Sequence, residues 1–180
     1  MVNKYLKAER NFKLRFYLLL SFFISFSFLQ AQNINKHFIS AQQEEGNLYF
    51  VFAQKGFKKK KLNLTYDLTY LSSKDSITFN FSVKHHSVLK IDSIGLENED
   101  LLLKEASKKL FIETKRRNWQ HRYTSAFSFS DLEKFYEGSF PQMILYTSGE
   151  EIKLDISKSK WKKQSSIIRK ILQLIELNKD

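Results

Sequence analysis

Two groups of side chains in this sequence are equipped for non-covalent chemistry. Four consecutive lysines, Lys58, Lys59, Lys60 and Lys61, stand in front of a run that alternates apolar and polar residues. Further on, Arg116, Arg117, Trp119, His121, Arg122 and Tyr123 interleave cations with aromatic rings. Ammonium and guanidinium groups pair with phosphate or carboxylate, and aromatic faces stack on sugars or bases. Lys58, Lys59, Lys60, Lys61, Arg116, Arg117 and Arg122 are therefore candidate contacts to an anionic surface, and Trp119 and Tyr123 candidate aromatic contacts. The plainer alternative makes the lysines a strand rim that discourages edge-to-edge pairing. In the second cluster it sends the aromatic rings into the core and leaves the arginines around a hairpin.

Catalytic signatures are missing. The five glycines, Gly46, Gly56, Gly95, Gly138 and Gly149, are too far apart for a phosphate-cradling loop or a dinucleotide fingerprint. No serine lies in a Gly-x-Ser-x-Gly context, and the zinc-protease helix motif does not occur. Asp131, Glu133 and His121 are generic acid/base candidates with no spacing that unites them. His85 and His86 are adjacent, and neighbours on a strand face opposite ways, so they are not expected to meet at one metal. A metal site would need one of them with His121 and a carboxylate. Glu97, Glu99 and Asp100 lack the spaced oxygens and glycine of a calcium loop. The expectation is a protein with no catalytic residues, no cofactor and no metal.

The amino terminus bears on which partners the charge could meet. Lys4, Lys7, Arg10, Lys13 and Arg15 precede an apolar run from residue 16 to 29, closed by Leu29-Gln-Ala-Gln32. A basic region, a short apolar core and a small residue describe a signal peptide, and the run falls short of the ~20 residues a membrane-spanning helix needs. This ending resembles exported proteins of Gram-negative bacteria. Cleavage is expected after Ala31; an uncleaved anchor is the alternative, because Leu29 fits the site less well than alanine. Removing residues 1–31, with five basic residues and one acid, takes the formal charge from +11 to +7. Export sets nucleic acid aside and leaves envelope lipid, polysaccharide or another envelope protein as partners. Without cysteine there are no disulfides, no thiolate metal sites and no thiol-linked lipid anchor, so the core must hold the fold.

The elements that would carry these residues follow from periodicity. Residues 48–53 read as a strand. Leu62, Leu64, Tyr66, Leu68 and Tyr70 alternate with polar residues, and Ile77, Phe79, Phe81 and Val83 do the same across a Ser/Lys/Asp link. Such a pair predicts an antiparallel hairpin with one wet face. Residues 88–94, 110–114 and 119–129 read as further strands, and 143–146 with 152–156 as a second hairpin. Asn98 followed by acids suggests the cap of a short helix over residues 98–107. Ser130-Asp-Leu-Glu133 matches a capping box for a helix near 130–137. From about residue 158 to 177, Trp161, Ile167, Ile168, Ile171, Leu172, Leu174 and Ile175 share one helical face, opposite Lys162, Lys163, Arg169, Lys170, Gln173 and Glu176. That face could cover the sheet or lie on an anionic membrane. Acceptor-like triplets at Asn63, Asn80, Ser76 and Ser93 resemble glycosylation sites. The predicted architecture is α+β: an irregular segment over 32–46, then one domain over 47–180, with an antiparallel sheet of about seven or eight strands. A non-enzymatic binding or structural protein is expected, with a lipid carrier enclosing its ligand between sheet and helix as a rival.

Overall fold

The computed structural model describes residues 34–178; the expected signal peptide at 1–31 lies outside them. The strands are β1 (Phe38–Gln43), β2 (Gly46–Lys59), β3 (Leu62–Leu71), β4 (Ser76–His85), β5 (Ile91–Glu97), β6 (Leu102–Ala106), β7 (Lys108–Lys115), β8 (Asn118–Ser128), β9 (Gln142–Thr147) and β10 (Glu151–Asp155). Helix α1 spans Phe129–Glu137 and α2 spans Lys158–Leu177. All strand pairs are antiparallel, in the order β6-β5-β9-β10-β2-β3-β4-β8-β7, with β1 also on β2. The α+β architecture with a covering C-terminal helix is thus the one the sequence predicts.

The period-two runs do what they promised. Every apolar residue named in β3 and β4 is buried, while Asn63, Thr65, Thr69, Thr78, Asn80 and Ser82 stay on the outer side. Inside, Tyr66 stacks on Phe79 at 4.9 Å and Phe81 on Tyr123 at 5.6 Å. Such pairs add about 0.5–1.5 kcal/mol to simple burial.

Three expectations need correction. The supposedly irregular amino-terminal segment contains β1, which pairs residue for residue with the first half of β2. The helix expected over 98–107 is instead a turn followed by β6. Asn98 does accept a backbone N–H, from Asp100, but its own N–H donates to Leu101 O and closes a tight turn. Residues 102–106 then pair with β5, because a waiting strand edge outweighs the weak local preference for helix. On α1 the cap is Ser128, whose hydroxyl accepts from Asp131 N at 3.1 Å, two residues ahead of the predicted one.

Only Ser107 separates β6 from β7. Residues 102–115 therefore give their first half to β5 and their second half to β8. The two ends of the strand order are joined in the chain at Ser107, and the sheet closes on itself. Ser107 N donates to Asp92 O, and its hydroxyl lies 3.0 Å from that of Ser125, so the junction is tied to both neighbours.

The weakest joint lies opposite. Strands β10 and β2 share one residue pair, Asp155 with Lys58. Nearby, β2 is bulged around Gly56, whose φ of 148° is open mainly to glycine. A Cβ there would also meet Ile156 at 3.1 Å. Helix α2 covers this seam. Gln164, 8% exposed, donates through Nε2 to Lys55 O at 2.5 Å and accepts from the Tyr66 hydroxyl at 3.3 Å. Trp161 packs against Phe57 of β2 and against Phe135 and Tyr136 of α1. Ile168, Ile171, Leu172 and Ile175 complete the buried stripe at no more than 1% exposure. Most of the apolar face of α2 is thus buried in the core, with Ile167 and Leu174 half-buried beside it. No helix among the described residues is long and apolar enough to cross a membrane.

Candidate functional site: a basic end of the closed sheet

Register collects the sequence-predicted cations at one end. Asn63 pairs with Lys84, Lys84 with Gln120, His85 with Trp119, and Lys115 with Asn118. The β2–β3 turn at Lys60 and Lys61 therefore lies at the same end as the β7–β8 turn at Arg116 and Arg117. Lys58, Lys59, Lys60, Lys61, Arg116 and Arg117 are all exposed.

Both turns break the local rule. Two-residue hairpin turns call for positive φ, which favours Asn and Gly. Here Lys60 takes φ 49° and Arg116 φ 60°, a conformation that costs a side chain with a Cβ about 1–2 kcal/mol. Cations occupy the two positions where the backbone would be better served by glycine or asparagine, a departure of the kind that clusters at functional sites.

Between these turns is an open cavity of about 380 Å³ lined by Lys59, Lys60, Lys61, Leu62, His85, His86, Asn118, Glu150 and Ile152. The three lysines form no ion pair among the described residues. His85 and His86 were expected to face apart. Their ring centres instead lie 4.0 Å from one another, because β4 ends at His85 and the chain turns there. Glu150 is the one acid in the lining, carried in by the β9–β10 turn, where Thr147 Oγ1 donates to Glu150 O.

The link from His85 to β5 is tied to β8 by two buried side chains. His121 Nε2 accepts from Leu89 N at 2.8 Å, and its Nδ1 lies 3.3 Å from Val83 O, which places the proton on Nδ1. The Tyr123 hydroxyl donates to Leu89 O and accepts from Ile91 N. The backbone just before β5 is thereby fixed against β8. Burial pulls the His121 imidazole below its ordinary value of 6.5; the Val83 carbonyl opposes this, and His85 adds to the lowering. A lowered histidine contributes its stability above the ordinary value and loses it as pH falls. The urea midpoint should therefore drop between pH 7.5 and 5, and drop less in His121→Gln, which keeps an acceptor for Leu89 N but does not titrate. Equal drops in the two proteins would show that His121 carries none of the effect.

Three site expectations change. Tyr123 is 2% exposed, stacked on Phe81 and bonded to the backbone, so it is withdrawn from aromatic contact with a partner. Arg122 faces the outer side of the sheet, where it bonds Asp67 Oδ2 at 2.7 Å and Ser82 Oγ at 3.0 Å. It serves this ion pair and is not part of the basic end. Asn80, one of the acceptor-like triplets, donates to Asp67 and Thr69 in the same cluster. With both ring nitrogens engaged, His121 is not available to join His85 or His86 at a metal. Among the described residues no group of three or more side chains is placed to hold one. Trp119 remains half-buried beside His85 at the edge of the basic end. What sequence reasoning missed is the pairing of the two turns, the meeting of His85 with His86, and Glu150. Only the positive charge of each turn was visible beforehand. Compared with protein-family models, with curated proteins and with solved structures, the chain finds no match.

Proposed function

We propose that this is an exported, non-enzymatic envelope protein that binds an anionic partner, a polysaccharide or a lipid head group, at the basic end of its closed sheet. The observation that carries the reading is the convergence of Lys59, Lys60, Lys61, His85 and His86 on one concavity of about 380 Å³. The cationic residues at the strained turn positions support it. Export rests on the pattern of residues 1–31. An exported protein would meet carboxylate- and phosphate-bearing lipids and polysaccharides, whose many charges repay several cations held together. The interior is filled by aromatic side chains from β2, β3, β4, β8, α1 and α2, which weighs against a lipid carried between sheet and helix.

Each lysine near an anionic surface contributes about 1 kcal/mol, so the triple variant Lys59→Ser, Lys60→Ser, Lys61→Ser should bind about 100-fold more weakly. Heparin and vesicles containing phosphatidylglycerol serve as the two probes, with dextran and phosphatidylcholine vesicles as neutral controls. Loss on heparin alone assigns the partner to polysaccharide, and loss on vesicles alone to lipid. Unchanged binding to both at low salt would sink the reading.

A further inference from the structure

A second concavity lies beside α2, between its first three turns and the connection from α1 to β9. Its apolar wall is made by Tyr136, Phe140, Pro141, Ile156 and Trp161, and its volume is about 200 Å³. A closed cavity of ~150 Å³ is enough for benzene, so one ring or a short alkyl chain fits. Lys158, Lys162 and Arg169 stand on the same rim, spaced along one stripe of the helix. None of the three forms an ion pair among the described residues, and Glu137 is the single acid in the lining.

Phe140 adds an independent sign. It is 54% exposed and has φ 42°, although it precedes a proline, which further restricts its backbone. A large apolar side chain held in solvent by a strained backbone does not serve the core. Its ring instead stands beside Lys158, whose Nζ is 5.1 Å from the ring centre. The wall behind is rigid: Trp161 is stacked on Tyr136 and donates through Nε1 to Gly138 O at 3.2 Å.

We propose that this pit binds a small amphiphilic anion, a carboxylate or other acid carrying a ring or short alkyl chain. The apolar part lies against Trp161 and Phe140, and the acid group faces Lys158, Lys162 and Arg169. Charge complementarity selects the sign: three unneutralised cations over an apolar wall favour an anion and repel an alkylammonium of the same shape. The site is separate from the lysine cavity and does not depend on its function.

The chain has two tryptophans, so Trp119→Phe makes Trp161 the sole reporter. Octanoate, below its micelle concentration, should change Trp161 emission saturably and bind at least tenfold tighter than octanol or octylammonium, with acetate silent. Lys162→Gln with Arg169→Gln, two solvent-side changes, should weaken octanoate about tenfold, the least expected for lost charge-assisted hydrogen bonds. The serine variants at 59–61 should bind octanoate unchanged, which separates this test from the one above. Vesicles of phosphatidylglycerol that compete with octanoate assign the natural source to membrane lipid, whereas vesicles that do not compete assign it to a free acid. The proposal is overturned if octanoate is silent, if octanol binds equally well, or if the double variant binds octanoate as tightly as the parent.

Discussion

Removing residues 158–180 should leave a chain with no cooperative unfolding transition. Five large side chains of α2, Trp161, Ile168, Ile171, Leu172 and Ile175, are buried in the core. At about 1.5–3 kcal/mol each they contribute on the order of 10 kcal/mol, which is as much as an entire domain of this size retains. Their loss also bares Phe57 and Tyr136, and it leaves the β10–β2 joint with its single residue pair. The measurement is far-ultraviolet circular dichroism through a urea titration. A truncated protein that still unfolded cooperatively, and had lost only its affinity for anionic vesicles, would contradict this and make the helix an anchor.

A single residue on the same helix should have the next largest effect. Gln164→Leu keeps the volume but leaves Lys55 O without its donor and the Tyr66 hydroxyl without its acceptor. A buried polar group deprived of its partner costs about 1–3 kcal/mol, so the two together cost about 3 kcal/mol. At the m-values usual for urea the midpoint falls by about 1–2 M. Gln164→Glu separates the two bonds. It can still accept from Tyr66, yet it cannot donate to Lys55 O and brings a charge to a buried position, so it should destabilise at least as much as leucine. If leucine proves neutral with an unchanged m-value, the seam is held by apolar packing and the hydrogen bonds are incidental.

Much of this fold could be read from local periodicity, because alternation and the 3.6-residue stripe record which face a segment buries. The β3–β4 and β9–β10 hairpins and both helices follow from that. Gln164 does not: on a helical wheel it reads as a polar residue near the apolar arc, and only the missing strand partner at Lys55 explains its burial. The stretch 102–106, where a helix was expected, was equally opaque, whereas 110–114 was legible as a strand. Residues 102–106 are mostly exposed on both sides, so no face was selected for apolar residues, and their strand character comes from pairing with β5. At the basic end, the charges were visible but their meeting was not. Lys60 and Arg116 are 56 positions apart in the chain, and their proximity depends on the registers of β3, β4, β8 and β7 in succession. His85 and His86 were misread for a related reason. Alternation holds only while a strand continues, and nothing local announced that β4 would end between them.

The single Asp155–Lys58 pair also governs when the fold can be completed. Hairpins such as β3–β4 join neighbours in sequence and can form as soon as both strands exist, whereas contacts between distant segments wait on loop closure. A chain made from its amino terminus has β2 early, but β10 follows almost a hundred residues later and α2 is the last element of all. Until then the edge of β2 near Lys55 is bare, with a carbonyl that Gln164 has yet to reach. The lysines at 58–61 flank that edge throughout the interval, and lysine on a bare strand edge disfavours pairing between two unfinished chains. The same charges that are proposed to meet a partner in the finished protein would thus also guard the open edge while the chain is incomplete.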